Sequence, residues 1–278
     1  SAHDLHYLRE EISTAGKQIP IIAKIEKPQA IDHLEQIICA ADAVMVARGD
    51  LGVEMALEQV PLLQKQIIEK CSIAGKPVIV ATQMLESMIH SARPTRAEVS
   101  DIANAILDGT DAVMLSGETA VGEYPLAALE VMSKVAKQTE KTLDYDKLLK
   151  DRVERRCHTV TDAISQACAE IAQDLEVSAI ITATASGHTA AMVSRLRPQA
   201  PLLAITPHET TYRRLTLWWG VQPFLVNKTK NTDEMVVIAQ WAARKSEFCR
   251  SGDRIVITAG IPPGISGQTN LIKVETVK

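Results

Sequence analysis

The first half of the chain repeats one pattern, in which a short apolar run is followed by a longer amphipathic run. The apolar runs are "IPIIAKIE", "AVMVARGD", "KPVIVATQ" and "DAVMLSGE". Apolar residues spaced as on one helix face predict helices over 28–39, 57–75, 95–107 and 124–141. Four strand–helix units of roughly 30 residues each predict a parallel sheet joined by crossover helices.

All four predicted strands end in polar residues. Because parallel strands place their carboxyl ends on one rim, these residues are expected to meet there, where chemistry is found in (β/α)8 barrels and open α/β sheets. Lys24 and Glu26 are two residues apart, so their side chains share a face of the first strand. The polar ends are Lys24 and Glu26, then Arg48, Gly49 and Asp50, then Thr82 and Gln83, then Ser116, Gly117 and Glu118.

The four units predict half of a (β/α)8 barrel over residues 1–142. A complete barrel needs eight units in about 250 residues. The chain opens on the helical stretch "SAHDLHYLREEI", with no strand ahead of it. We therefore expect further sequence upstream that carries the other half.

Residues 143–278 predict a separate α/β domain. The charged run at 144–156 reads as a linker or an exposed helix, and alternating helices and strands follow it. The last segment, "NLIKVETV", is extended and is expected to pair with the sheet.

Composition excludes several classes of protein. A net charge of −4 and 3% aromatic residues give no reason to expect nucleic-acid binding. No apolar run is long enough to span a bilayer, and the first residues carry no signal-peptide pattern. Five cysteines without a CxxC motif suit a reducing compartment. The expectation is a cytoplasmic protein.

Four long motifs resemble those of pyruvate kinases, in the same order and spacing: "IIAKIEKPQAI", "VMVARGDLGVE", "PVIVATQMLESM" and "AVMLSGETAVGEYP". The resemblance covers the second half of that family's barrel and its C-terminal regulatory domain. It implies transfer of a phosphoryl group from phosphoenolpyruvate to ADP, giving pyruvate and ATP, with Mg2+ (or Mn2+) and K+ as cofactors. It places the K+ ligands in the absent half, and it implies a homotetramer.

The residues themselves suit phosphoryl transfer, which depends on positioning and charge neutralisation. Lys24 is flanked by apolar residues, so we expect it to be buried, although an exposed strand lysine is the commoner case. Glu26 and Asp50 offer the oxygen ligands that Mg2+ prefers; otherwise they are rim carboxylates paired with Lys27 or Arg48.

Glycine permits close approach of a ligand to the backbone, and Gly49 stands at a predicted helix start. The resemblance implies that Lys24 bridges the phosphoryl group and that Glu26 and Asp50 bind the metal. By the same resemblance, the N–H groups of Gly49 and Asp50 would face the substrate carboxylate. Thr82 would be catalytic, because it would contact substrate and belong to the proton network.

Three further residues at the predicted strand ends are interpreted as supporting the site. For Arg48 a structural ion pair is at least as well supported as a contact with substrate. Ser116 and Glu118 are interpreted as residues that hold the site in shape. His158 beside Cys157 is interpreted as structural, because adjacent helical residues point apart.

In the second domain, "TATASGHTAA" predicts a strand, a turn rich in hydroxyl groups and a helix. Such a turn suits a phosphate but is also an ordinary helix start. By resemblance it binds an allosteric effector, a sugar phosphate or nucleotide monophosphate, with "PPGISGQTN" nearby. Ser246 stands where we align an arginine of members activated by fructose bisphosphate, beside Arg244 and Lys245, which favours a monophosphate. The candidates are Thr182, Thr184, Ser186 and Thr189.

Two alternatives to a kinase stay open. Without the first half-barrel the chain is a non-catalytic effector-binding and assembly module, and any turnover separates the two readings. A lyase of related barrel type would use Mg2+ on a pyruvate enolate without nucleotide, so dependence on ADP separates it from the kinase.

Overall fold

The computed structural model describes residues 1–154, 159–261 and 268–278. The chain divides into two compact units, Ser1–Leu143 and Asp144–Lys278. Within the described residues, no helix combines the length and the apolar character needed to cross a membrane.

The first unit contains a four-stranded, all-parallel sheet in the order β1-β2-β3-β4. Its strands are β1 (Ile22–Ile25), β2 (Ala43–Ala47), β3 (Val78–Ala81) and β4 (Ala112–Met114). Its helices are α1 (Ala2–Thr14), α2 (Pro28–Asp32), α3 (Leu34–Ala40), α4 (Arg48–Glu54), α5 (Val60–Ala74), α6 (Arg96–Leu107), α7 (Gly117–Ala120) and α8 (Pro125–Glu140).

Local sequence explains where these helices begin and end. Gly75 ends α5 in the left-handed conformation, at φ 64°, which glycine adopts without steric cost. Thr95 begins α6 with a capping box, since its hydroxyl accepts from the Glu98 N–H and the Glu98 carboxylate accepts in return. The single helix predicted over 28–39 is wrong in one respect: it is interrupted at His33, whose φ of −111° and ψ of 21° are not helical.

The two faces of the first sheet have different surroundings. Side chains alternate along each strand, so Val44, Val46, Val78 and Val80 all enter the core that the helices cover. The opposite face carries a row set by the strand register, which runs Lys24, Met45, Ile79, Ala112. Lys24 therefore stands on the face opposite the helix-covered core.

The second unit is a five-stranded sheet in the order β7-β6-β5-β8-β9, parallel except for β9. β9 pairs antiparallel with β8, which confirms the predicted pairing of the last segment. Its strands are β5 (Ala179–Ala183), β6 (Leu202–Thr206), β7 (Val221–Leu225), β8 (Arg254–Ala259) and β9 (Leu271–Thr276). Its helices are α9 (Tyr145–Glu154), α10 (Val160–Asp174), α11 (His188–Ser194), α12 (Glu209–Leu215) and α13 (Thr232–Lys245).

Helices cover both faces of the second sheet. On β5, Ile181 packs in a core with α13, while Ile180 packs in a second core with α10 and α11. The strand order reverses beside β5, since β6 and β7 lie on one side and β8 on the other. In such sheets, ligands bind outside the carboxyl ends of the strands at the reversal.

Candidate functional site

The ends of β1 and β2 bring three predicted site residues together. The Lys24 ammonium pairs with Glu26 Oε1 and lies 4.0 Å from Asp50 Oδ2. The expected burial of Lys24 is wrong: its side chain is 54% exposed. The reason is strand alternation, which sends Ala23 and Ile25 into the core and Lys24 to the opposite face.

Lys24 and Glu26 each favour the charged form of the other. The hydrogen bond with Lys24 lowers the pKa of the Glu26 carboxyl, and the hydrogen bond with Glu26 raises the pKa of Lys24. Both groups therefore stay ionised around neutral pH.

The Glu26 and Asp50 carboxylates are oxygen ligands of the kind that Mg2+ prefers. Lys24 places a positive charge against both the Glu26 and Asp50 carboxylates, where a cation is favourable. Across the described ranges, no group of three or more His, Cys, Asp or Glu side chains could hold a metal. A Mg2+ ion here would have two protein carboxylates and take its other oxygens from substrate or water.

Two hydrogen bonds to Thr82 join the ends of β2 and β3, one from the Gly49 N–H and one from Arg48. The Gly49 N–H donates to Thr82 Oγ1 at 2.8 Å, and the Thr82 hydroxyl donates to the Ala81 carbonyl at 2.6 Å. A Cβ at position 49 would lie 3.5 Å from Thr82 Oγ1, in ordinary contact. Space therefore does not require glycine at this position, and the Gly49 N–H is already hydrogen-bonded to Thr82.

Arg48 points inward and is mostly buried, with 11% of its side chain exposed. Its Nη1 donates to Asp101 Oδ1 at 2.6 Å, and its Nη2 donates to the Thr82 carbonyl at 2.9 Å. The structural ion pair weighed for Arg48 is therefore present. Asp101 was not anticipated, because it lies on α6, 53 residues from its partner.

The end of β4 supplies a buried carboxylate. Glu118 is 2% exposed. It accepts from the Leu85 N–H at 3.0 Å and from the Ser116 N–H at 2.7 Å. These bonds tie the segment after β3 to the segment after β4, an arrangement that shapes the rim. His158 and Cys157 lie outside the described residues.

A cavity of about 200 Å³ opens at the carboxyl ends of the second sheet. Thr184, Ser186 and Thr189 line it, whereas Thr182 does not; Thr182 is fully buried one residue before the end of β5. Sequence reasoning did not single out its charged and titratable lining, which is His188, His208 and Lys228. Its apolar lining includes Ile205, Val226 and Met235.

Hydrogen bonds already occupy part of the hydroxyl-rich turn. Thr184 Oγ1 accepts from the Gly187 N–H at 3.0 Å, and the Thr189 and Thr269 hydroxyls are bonded at 2.9 Å. Burial, then the Arg195 charge, lowers the pKa of His188, so this ring is neutral at physiological pH. Ser246 is buried and donates to the Ala243 carbonyl at 2.7 Å, outside the cavity lining.

Comparison with known proteins agrees with both units. The pyruvate kinase barrel-domain family matches residues 1–129, and the pyruvate kinase alpha/beta-domain family matches residues 162–275. A protein named pyruvate kinase from Geobacillus stearothermophilus is 52% identical over 277 residues, which is 99% of this chain and 47% of the relative. One of the same name from Clostridium acetobutylicum is 49% identical over 263 residues, 95% of this chain and 56% of the relative.

Solved structures give the same result. The crystal structure of a pyruvate kinase from Cryptosporidium parvum superposes with a TM-score of 0.94 at 38% identity. The superposition includes 100% of the present chain and 57% of the Cryptosporidium parvum chain. The chain therefore spans about half the length of the relatives it matches.

Together, fold and site define an α/β chain with the C-terminal half of a (β/α)8 barrel and a separate α/β domain. The chain belongs to the pyruvate kinase family.

Proposed function

We propose that this chain carries the phosphoryl-transfer site of a pyruvate kinase, which moves the phosphoryl group of phosphoenolpyruvate to ADP. The observation that carries the proposal is the meeting of Lys24, Glu26 and Asp50 beside the Gly49–Thr82 hydrogen bond. A cation, two carboxylates and a backbone N–H donor are groups that such a reaction uses.

Lys24 stabilises the charge that develops on the phosphoryl group in flight. Its ammonium is held at the rim by Glu26 and stays protonated, because that contact raises its pKa. When substrate arrives, Lys24 exchanges part of this contact for the phosphoryl oxygens. Positioned charge of this kind is a large part of enzymatic phosphoryl transfer.

Glu26 and Asp50 would hold Mg2+ or Mn2+ through carboxylate oxygens. A metal held by these two carboxylates would supply positive charge that offsets the negative charge of the substrate oxygens. The lowered pKa of Glu26 keeps that carboxylate deprotonated, as a metal ligand must be.

Gly49 and Thr82 orient the substrate carboxylate. In the structure described here, the Thr82 oxygen accepts the Gly49 N–H. When phosphoenolpyruvate binds, a carboxylate oxygen would replace Thr82 as the acceptor of the Gly49 N–H. The Asp50 N–H and the Thr82 hydroxyl would donate to the same carboxylate. The Thr82–Gly49 bond is therefore the position that we propose for the substrate carboxylate.

The remaining parts of the proposed activity rest on the family resemblance alone, since the chain spans about half the length of its relatives. The proposal includes K+, with ligands outside the chain, a homotetrameric assembly and a cytoplasmic location. It also includes ADP held partly by the other half-barrel.

Binding of Mn2+ tests the metal assignment directly. We expect Glu26→Gln and Asp50→Asn each to weaken Mn2+ binding by about tenfold or more, measured by electron paramagnetic resonance with oxalate present. Glu54→Gln, an exposed carboxylate further along α4, is the matched control and should leave affinity unchanged. Equal affinity in all three variants would refute the assignment.

The cavity of the second unit supports an effector site as a second function. Thr184, Ser186 and Thr189 offer hydroxyls, and Lys228 offers a positive charge, to an anion in the cavity. With Ser246 outside the lining, a monophosphate of a sugar or nucleoside is preferred to a bisphosphate. We expect calorimetric titration to show tighter binding of AMP or glucose 6-phosphate than of fructose 1,6-bisphosphate, and Ser186→Ala to weaken it. No heat from any of the three ligands would refute this function.

A non-catalytic effector-binding module stays the alternative for the chain on its own. It shares the cavity but predicts no turnover. The kinase and the effector-binding module therefore differ in whether Lys24 takes part in phosphoryl transfer.

A further inference from the structure

The backbone after β3 runs through two consecutive residues in the left-handed region. Thr82 has φ 70° and Gln83 has φ 55°. Neither is glycine, and a β-branched threonine is strongly disfavoured there because its Cβ crowds the backbone. Such conformations persist only where the surrounding structure fixes them. The groups that fix this turn therefore matter to the candidate site.

Arg48 supplies such contacts from the end of β2. Its Nη2 donates to the Thr82 carbonyl at 2.9 Å and lies 2.8 Å from Met84 Sδ. Its Nη1 donates to Asp101 Oδ1 at 2.6 Å. One planar guanidinium thus links a carboxylate on α6 to the carbonyl of the strained residue.

Two consecutive residues bind the same threonine at different atoms. Arg48 bonds the Thr82 carbonyl, while the N–H of Gly49 bonds the Thr82 hydroxyl oxygen. The carbonyl contact restrains the backbone of Thr82, and the backbone conformation decides where the hydroxyl points. The two contacts are therefore expected to be coupled.

We propose that Arg48 is a positioning residue: its guanidinium, anchored by Asp101, holds Thr82 in the conformation in which the hydroxyl oxygen accepts the Gly49 N–H. Arg48 acts through Thr82 and not on the substrate. An effect of Arg48 on catalysis rests on the proposed function. The effect of Arg48 on the Gly49–Thr82 hydrogen bond does not. The fork of the arginine is essential, because a lysine can pair with Asp101 but cannot bond both partners in one plane.

The rate of amide hydrogen exchange at Gly49 measures how well the Gly49–Thr82 hydrogen bond is held. It can be measured in the 278-residue chain without an assay of activity. In Arg48→Lys we expect the Gly49 amide to exchange at least tenfold faster, while the amide of buried Ile67 keeps its rate. Lys70→Met, which removes the ion pair between Lys70 and Glu35 on other elements, is the control and should change neither amide.

A second variant separates positioning from a simple ion pair. Glycine adopts positive φ without steric cost, so Gln83→Gly relieves part of the strain that Arg48 holds. In the double variant with Arg48→Lys, we expect Gly49 exchange to slow again towards the wild-type rate. An ion pair with no positioning role would not be rescued in this way.

Three results would overturn the inference. They are unchanged Gly49 exchange in Arg48→Lys, equal acceleration at Ile67, and no rescue by Gln83→Gly. The expected exchange pattern without pyruvate formation would count against the proposed function and would support the positioning role.

Discussion

The backbone N–H of Gly49 and the side-chain oxygen of Thr82 are 2.8 Å apart, in a hydrogen bond that joins the end of β2 to the end of β3. Both residues come from separate motifs, 33 residues apart in sequence. The bond exists because parallel strands in register bring their carboxyl ends together. It makes the hydroxyl of Thr82 a point where stability and the candidate chemistry can be tested separately.

Removing that hydroxyl should lower the stability of the chain. Thr82→Val keeps the shape but leaves the Gly49 N–H without its acceptor, so we expect a loss of about 1 kcal/mol in the free energy of unfolding. Thr82→Ser keeps the hydroxyl and should stay within about 0.5 kcal/mol of wild type. Urea denaturation measures both. Equal losses in the two variants would mean that the hydroxyl is not what matters.

The buried ion pair between Asp162 and Arg195 should make the second unit sensitive to acid. Burial by itself would raise the pKa of Asp162, but hydrogen bonds from Thr159 and the Arg195 charge outweigh it, so the pKa lies below its ordinary value. A lowered folded-state pKa contributes stability that is present above the unfolded-state pKa, about 4, and lost as the pH falls through the folded-state value.

The variant Asp162→Asn tests this dependence. It leaves a buried arginine without its partner charge, and we expect it to lower the free energy of unfolding by about 3 kcal/mol at pH 7. The gap from wild type should shrink below about pH 4. Glu130→Gln, in an exposed pair with Lys134, should cost less than about 0.5 kcal/mol. Thermal unfolding as a function of pH measures all three proteins, and a gap that stays constant into acid would contradict the assignment.

The cysteines should differ sharply in reactivity. Burial raises the pKa of Cys71 and of Cys168 to about 12, which leaves almost no thiolate at neutral pH. Cys39 is exposed. We therefore expect iodoacetamide at pH 7.5 to label Cys39 in the native chain and to reach Cys71 and Cys168 only after unfolding. Peptide mapping by mass spectrometry reads the result, and rapid native labelling of Cys71 would contradict the packing of α5.

The first sheet should drive self-association of the chain. β1 and β4 are its two edge strands, and edge strands present backbone groups that can pair with another chain. Ile22 on β1 is 43% exposed. We expect sedimentation velocity at micromolar concentration to show oligomers, and Ile22→Lys to reduce them, because an edge lysine opposes pairing. A wild-type chain that stays monomeric would contradict this prediction.

The periodicity of the sequence predicted the strands and most of the helices, because burial follows residue spacing closely. It also placed Lys24, Glu26 and Asp50 on one rim, since parallel strands end together. The burial of Lys24 was predicted wrongly, because apolar neighbours in a strand occupy the opposite face. Exposure depends on which face of the sheet the helices cover, and spacing alone does not reveal that.

Contacts between elements that are far apart in the chain could not be predicted from the sequence. The partner of Arg48 is Asp101 on α6, and no local motif marks that aspartate. The left-handed conformation of Thr82 and Gln83 was also unforeseen, since neither residue favours positive φ. Both features arise from tertiary contacts, and both lie at the candidate site.

Pyruvate formation from phosphoenolpyruvate and ADP, with Mg2+ and K+, is the decisive assay for the role of Lys24. We predict turnover that requires ADP and Mg2+ and that disappears in Lys24→Met, while the Lys70→Met control keeps it. Turnover that survives in Lys24→Met would contradict the role of that ammonium. No pyruvate above the Lys24→Met background would contradict catalysis by this chain and favour an effector-binding module.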